Sequence, residues 1–110
     1  MRFVAIESPY AGDVERNLRY VRAAMADCFA RGEYPIASHA LYTQPGVLRD
    51  EVPGERERGI NAGLAWAAKA EARVVYLDLG RSRGMLEGIR HAETIGQPVI
   101  YRRLPGWDAG

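Results

Sequence analysis

Short apolar runs and helical repeats alternate along the first third of the chain. The run Arg2–Glu7, which ends at Ser8-Pro9, is typical of a strand that enters a loop. From Asp13, a suitable N-cap, apolar residues recur at helical spacing at positions 14, 18, 21, 25, 28 and 29, which predicts a helix ending near Gly32. Residues 34–38 lie between Gly32 and a polar loop and are predicted to form a second strand.

The remaining two thirds continue the alternation after one irregular stretch. Residues 39–53 have no steady period and contain two prolines and a glycine, so we predict a long loop of the kind that is often functional. A helix is predicted after Gly54 as far as position 68. Residues 73–79 form a continuous apolar run, typical of a strand covered on both faces. A glycine-bounded turn over 80–84 leads to a helix over 85–95, and residues 98–102 form the last predicted strand. The segment 104–110 has no regular pattern.

The order of elements, β-α-β-α-β-α-β, indicates right-handed crossovers between parallel strands. We therefore predict an α/β fold, a three-layer Rossmann-like or flavodoxin-like parallel sheet with helices on both faces. The length of 110 residues suits a single domain over residues 1–110.

Charge and cysteine content narrow the possible partners. The formal net charge is +1 without a block of like charges, which argues against a nucleic-acid polymer or an anionic membrane. We find neither a signal-peptide pattern at the N-terminus nor an apolar stretch of about 20 residues. Cys28 is the single cysteine and lies in an apolar helical pattern, which favours a buried structural thiol over a reactive one. We expect a cytoplasmic protein.

Ligands of open parallel sheets bind beyond the carboxyl ends of the strands, where three polar segments of this chain are predicted to meet. These segments are residues 8–13, residues 38–39 with the long loop, and residues 78–87. The glycines in the first and third segments would let backbone N–H groups approach an anion, although glycine is common in any turn.

Individual side chains at this edge each allow a functional and a structural interpretation. Asp78 would end an apolar strand, where a carboxylate must find a ligand or cap the following turn. Glu87 lies near a helix start, where an acidic residue also stabilises the helix. His39 and His91 lie on separate elements without a nearby cysteine, so we expect no metal site and regard His39 as a hydrogen-bonding loop residue.

Taken together, these segments resemble the nucleoside 2-deoxyribosyltransferase-like superfamily, and within it a small phage and bacterial domain family of mostly unassigned function. The specific part of the resemblance is a motif of small residues that leads to a glutamate at a helix start, followed by Gly, Ala and a Gly-x-Pro-Val strand. The residues that carry this motif here are Ser82, Gly84, Glu87, Gly88, Ala92 and Gly96-Gln97-Pro98-Val99. The resemblance also covers residues 8–13, Asn17, residues 35–39, Glu55-Arg56 and Gly59.

The resemblance implies an N-glycosidase or deoxyribosyltransferase that acts on a nucleoside or nucleoside 5′-monophosphate without a cofactor. Glu87 would attack the anomeric carbon, displace the base and form a glycosyl ester, which water or a second base then resolves. The family's aspartate before the third strand is replaced here by Glu71-Ala72-Arg73, so Asp78 is our candidate for its role. The implied substrate-binding residues are Ser8, Pro9, Tyr10, Gly12, Asp13, Ser38, His39, Ser82, Gly84 and Met85.

Within that set, Ser82 and the Gly84 backbone would hold a 5′-phosphate or 5′-hydroxyl, while Ser8 and Tyr10 would border the sugar and base. The chain is shorter than most characterised members, so we expect a homodimer or larger homo-oligomer in which a neighbouring subunit completes the site. One alternative is a binding module that holds a nucleotide without turnover. A third, a structural or interaction protein, is weakened by the Asp, Ser, Tyr and Glu residues gathered at the ligand edge.

Overall fold

The computed structural model describes residues 2–107 and contains four strands and four helices within that range. In chain order these elements are β1 (Arg2–Glu7), α1 (Val14–Ala30), β2 (Glu33–Ile36), α2 (Ser38–Leu41), α3 (Pro53–Ala67), β3 (Ala72–Tyr76), α4 (Arg83–Thr94) and β4 (Val99–Arg102).

The four strands form one parallel sheet in the order β2-β1-β3-β4. Even-numbered residues of β1 and β3, such as Val4 and Val74, pack with Tyr20 and Val21 of α1. On the opposite face, Val75 packs with Met85 and Ile89 of α4. Helices therefore cover both faces of the sheet, which confirms the predicted α/β fold class. The strand order that begins 2-1-3-4 is that of flavodoxin-like sheets.

Strand β1, helix α1 and the start of β2 lie close to their predicted positions, and the ends of α1 explain why. The Asp13 carboxylate accepts a hydrogen bond from the Arg16 backbone N–H and fixes the start of α1. Gly32, with a φ of 77°, adopts a left-handed conformation after the helix ends. The predicted second strand is too long, because Ser38 begins the short helix α2 instead of ending β2.

The long loop and the third strand also differ from the predictions. The loop over 39–53 is not wholly irregular, since α2 occupies its first residues and the Tyr42 N–H donates to the Ser38 carbonyl. The third strand ends at Tyr76 and not at Leu79, because the Gly80 N–H bonds back to the Leu77 carbonyl in a tight turn. Gly80 has a φ of 81° there, which its missing side chain permits.

The segment after β4 also packs on the core. Leu104 is buried with the α1 side of the sheet, and the rings of Tyr20 and Trp107 meet edge to face with centroids 4.8 Å apart. Residues 108–110 of the predicted irregular tail lie outside the described residues. Within residues 2–107, we find no helix with the length and apolar character needed to span a membrane.

Candidate functional site

A cavity of about 260 Å³ opens at the carboxyl ends of β1 and β2, on the sheet face covered by α3 and α4. Its floor includes Ala5 and Glu7 of β1, and its walls come from α2, α3 and the first turns of α4. The volume is close to the lower limit of small-molecule sites, roughly 300 Å³. The sheet edge, as expected for parallel strands, gathers segments that are far apart in the sequence.

Most of the predicted site residues line this one cavity. They are Ser8, Tyr10, Ser38, His39, Ser82, Gly84, Met85 and Glu87. Pro9, Gly12 and Asp13 do not belong to its lining, and Asp13 instead caps α1. The loop after β1 therefore contributes through Ser8, Tyr10 and Ala11 and not along its whole predicted length.

Asp78, the second predicted catalytic residue, does not line the cavity. Its Oδ1 accepts hydrogen bonds from the Tyr20 hydroxyl at 2.6 Å and from the Leu104 N–H at 2.9 Å. Both partners belong to the face of the sheet covered by α1. The geometry gives Asp78 a structural role, in which it ties the chain after β4 to helix α1, and its carboxylate is occupied on the face opposite the cavity.

Ser8 and His39 form a polar pair on the cavity wall. The Ser8 Oγ and the His39 Nε2 lie 2.8 Å apart. Loss of solvent around the imidazole lowers the pKa of His39 to about 4, so the ring is neutral at neutral pH. A neutral ring has one donor and one acceptor nitrogen, which lets His39 fix the direction of the Ser8 hydroxyl beside the cavity.

The start of α4 presents polar backbone groups and Glu87 to the cavity. Ser82 caps the helix, since its Oγ accepts from the Met85 N–H at 3.2 Å. The N–H groups of Arg83 and Gly84 precede any intrahelical acceptor and remain available to an anion. Glu87 is exposed in the second turn and has no side-chain hydrogen bond or ion pair within residues 2–107. Its carboxylate is therefore free to meet a ligand.

A second carboxyl group in the cavity, that of Glu7, was missed by the sequence analysis. The Glu7 Oε2 accepts a hydrogen bond from Nη1 of Arg73 at 3.0 Å, and the Arg73 side chain is fully buried. Burial of the carboxyl group raises the pKa of Glu7 to about 7, and the Arg73 charge opposes this rise only in part. The signal was present in the sequence, since Glu7 ends an apolar strand at the ligand edge.

Helix α3 and the residues before it add charged and aromatic side chains to the cavity, and none of these was among the predicted site residues. Asp50, Glu55, Arg56 and Trp66 all line the cavity, and Trp66 is 54% exposed. Arg56 and Asp50 form an ion pair at 3.7 Å, whereas Glu55 pairs with Arg49 outside the cavity. Glu55-Arg56 and Gly59 carry part of the family resemblance, which was the available signal for this wall.

The fold is similar to that of two solved deoxyribosyltransferases. One is the 2-deoxyribosyltransferase of the psychrotolerant bacterium Bacillus psychrosaccharolyticus, with a TM-score of 0.72 and 15% identity over 92% of this chain and 72% of that protein. The other is the 2-desoxiribosyltransferase of Leishmania mexicana, with a TM-score of 0.61 and 12% identity over 94% of this chain and 65% of that protein. The chain thus has the nucleoside 2-deoxyribosyltransferase-like fold, which confirms the fold predicted from the resemblance.

Within that fold class, a family profile described as Domain of unknown function (DUF7768) matches residues 2–102. The chain belongs to this family. No curated protein matches the chain.

The neutral state of His39 predicts a specific pH dependence of stability. Because the pKa of His39 falls from 6.5 to about 4 on folding, unfolding takes up a proton as the pH drops below about 6.5. His39→Gln keeps a hydrogen-bonding group but cannot titrate. Urea unfolding should show the variant gaining on the order of 1–2 kcal/mol relative to wild type between about pH 8 and about pH 5. Parallel pH profiles for the two proteins would contradict a neutral His39.

Proposed function

We propose that this protein cleaves the N-glycosidic bond of a nucleoside or nucleoside 5′-monophosphate, with Glu87 as the nucleophile. The observation that supports the proposal best is the common cavity. Glu87 with Ser82–Gly84 at the start of α4, and Ser8 with Tyr10 after β1, come from two separate segments, yet they line one pocket of small-molecule size. The deoxyribosyltransferase activity named for the two similar structures supports the same reaction class.

The proposed reaction uses the Glu87 carboxylate at the mouth of the cavity. One oxygen attacks the anomeric carbon while the bond to the base nitrogen breaks, so that a glycosyl ester replaces the N-glycosidic bond. Water or a second base then attacks the same carbon and releases Glu87. Glu87 is exposed in the second turn of α4 and lines the cavity, so its carboxylate is accessible to a sugar bound there.

The remaining lining residues fit the parts of a nucleotide. The free N–H groups of Arg83 and Gly84, together with the charges of Arg83 and Arg56, suit a 5′-phosphate. Tyr10 and Trp66 offer aromatic surface to a planar base. The hydroxyl of Ser8, directed by His39, suits a hydrogen bond to the sugar.

Glu87→Gln tests the nucleophile, because it keeps the shape of the side chain and removes its nucleophilic charge. We expect base release, followed by chromatography over a panel of nucleosides and nucleoside monophosphates, to slow by at least about a hundredfold, or ~2.7 kcal/mol. Folding should be nearly unchanged, because an exposed helix-start carboxylate contributes only about 0.3–1 kcal/mol.

Glu93→Gln is the matched control, since Glu93 is an exposed carboxylate of the same helix outside the cavity. Equal base release by wild type and Glu87→Gln would refute the mechanism. Nucleotide binding by a wild type that never releases base would favour the binding-module alternative.

Phosphate recognition at the start of α4 predicts a difference between ligands. Nucleoside 5′-monophosphates should raise the melting temperature more than the matching nucleosides, because only the folded state presents the helix N–H groups and Arg83. Arg83→Gln should reduce this difference. Arg90→Gln, which removes an exposed charge of α4 outside the cavity, should leave it unchanged. Equal shifts for both ligand classes would rule out the phosphate site.

We further propose that a second copy of the chain covers the rim of the cavity. The apolar side chains Leu41, Val47 and Trp66, on α2, α3 and the segment between them, are each more than half exposed. An isologous contact there would bury apolar surface and complete the pocket. Light scattering should report a homodimer or larger assembly, and a monomer at high micromolar concentration would contradict it.

A further inference from the structure

Glu7 and Glu87 approach the cavity from two different elements. Glu7 is the last residue of β1, and its carboxyl group lies against α4 at Gly88, the residue that follows Glu87. A Cβ atom at position 88 would overlap the Glu7 carboxyl group. The missing side chain of Gly88 therefore makes the space in which the Glu7 carboxyl group faces the cavity, which Glu87 also lines.

Arg73 holds Glu7 from the side away from the cavity. Its side chain is fully buried and does not line the cavity. Besides the Glu7 contact, Nη1 donates to the Gly88 carbonyl at 2.6 Å, and Nη2 donates to Nδ1 of His91 at 3.0 Å. A fixed positive charge thus stands behind a carboxyl group whose other side is open to a ligand.

A buried ion pair of this kind contributes little net stability, because removing two charges from water costs about as much as their attraction returns. The Nε of Arg73 even lacks a hydrogen-bond partner within residues 2–107. The pair is therefore poorly explained as a stabilising device. Its one solvent-facing part is the Glu7 carboxyl group, whose side chain is 17% exposed.

The protonation state of Glu7 depends on its burial and on charged groups from every element packed against it. Burial raises the pKa of Glu7 to about 7, so the protonated and ionised forms are both populated near neutral pH. A group with such a pKa is suited to give and take a proton. The titratable or charged groups that share its surroundings are Arg73 from β3, His91, Glu87 and Arg83 from α4, His39 from α2, Glu55 and Arg56 from α3, and Asp50 from the preceding loop.

We propose that Glu7 is the general acid and base of this site, a role that rests on the proposed glycosidic cleavage. As the Glu87 oxygen bonds to the anomeric carbon, the electron pair of the breaking C–N bond passes to the base. The Glu7 carboxyl group gives its proton to the base, and Arg73 stabilises the resulting carboxylate. Water then gives a proton to Glu7 while its oxygen attacks the anomeric carbon, and the ester bond to Glu87 breaks with its electron pair on Glu87.

Glu7→Gln separates proton transfer from packing, because glutamine still accepts a hydrogen bond from Arg73 but cannot give up a carboxyl proton. Base release is measured from about pH 5 to about pH 9, with the nucleoside monophosphate that wild type cleaves fastest. We expect wild-type kcat/KM to fall as the pH rises through about 7, because the acid form of Glu7 is lost. Glu7→Gln should lower kcat about a hundredfold with little change in KM, and this fall with pH should disappear.

The outcomes distinguish this proposal from the one on which it rests. If wild type releases base and Glu7→Gln keeps its rate and pH profile, Glu7 is not the acid, while the proposed function stands. If wild type releases base from no substrate of the panel, the proposed function fails, and the role of Glu7 fails with it. Glu93→Gln, with an exposed carboxylate removed outside the cavity, should match wild type throughout.

A direct titration covers the case in which Glu7→Gln does not fold. Carbon-13 NMR of protein labelled at the glutamate carboxyl groups follows Glu7 in wild type. The resonance is assigned by its absence in Glu7→Asp, which keeps a carboxylate beside Arg73. A midpoint near pH 7 supports the role, and a midpoint near the ordinary value of 4.5 overturns it.

Discussion

A guanidinium group buried at the centre of the sheet constrains the architecture around it. Arg73 lies on β3 with its side chain fully enclosed, so its charge requires acceptors inside the protein. Glu7 on β1, the Gly88 carbonyl and His91 on α4 meet this requirement. The neighbouring elements are fixed in consequence. Gly88 of α4 leaves room for the Glu7 carboxyl group, and β1 ends in a side chain that accepts a hydrogen bond from Arg73.

This constraint also determines how the cavity is built. With α4 tied to the sheet through Arg73, its first two turns lie beside the end of β1, where Glu87 and the Ser82–Gly84 turn line the cavity. On the other face of the sheet, Asp78 connects Tyr20 of α1 with the chain after β4. The buried charge of Arg73 thus organises the face that carries the site, and the half-buried carboxylate of Asp78 connects elements on the face that carries most of the core.

The elements were predictable from sequence because their signals are local. Caps such as Asp13, helical repeats and the apolar run of β3 each depend on neighbouring residues, and so does the glutamate motif at Glu87. The short helix α2 escaped prediction because four residues carry no period. The Glu7–Arg73 pair escaped because the two residues are 66 positions apart and meet only through sheet pairing. The alternation of side chains along a strand was the available signal, because it directs Glu7 and Arg73 to the face of the sheet covered by α4. Asp78, in contrast, contacts the side covered by α1.

The contrast between the carboxyl groups of Glu7 and Glu87 follows from these positions. Glu87 lies on a helix surface where solvent reaches it, whereas Glu7 lies at the carboxyl end of β1, beneath that helix. Nucleophilic attack requires an ionised carboxylate, and departure of a poor leaving group requires a proton. One site meets both needs at one pH only if its two carboxyl groups have different environments. Here the two environments differ because Glu7 lies on the sheet beneath α4, whereas Glu87 lies on the exposed surface of α4. Arg73 and Gly88 maintain this arrangement, so the sheet and its covering helix are part of the proposed chemistry.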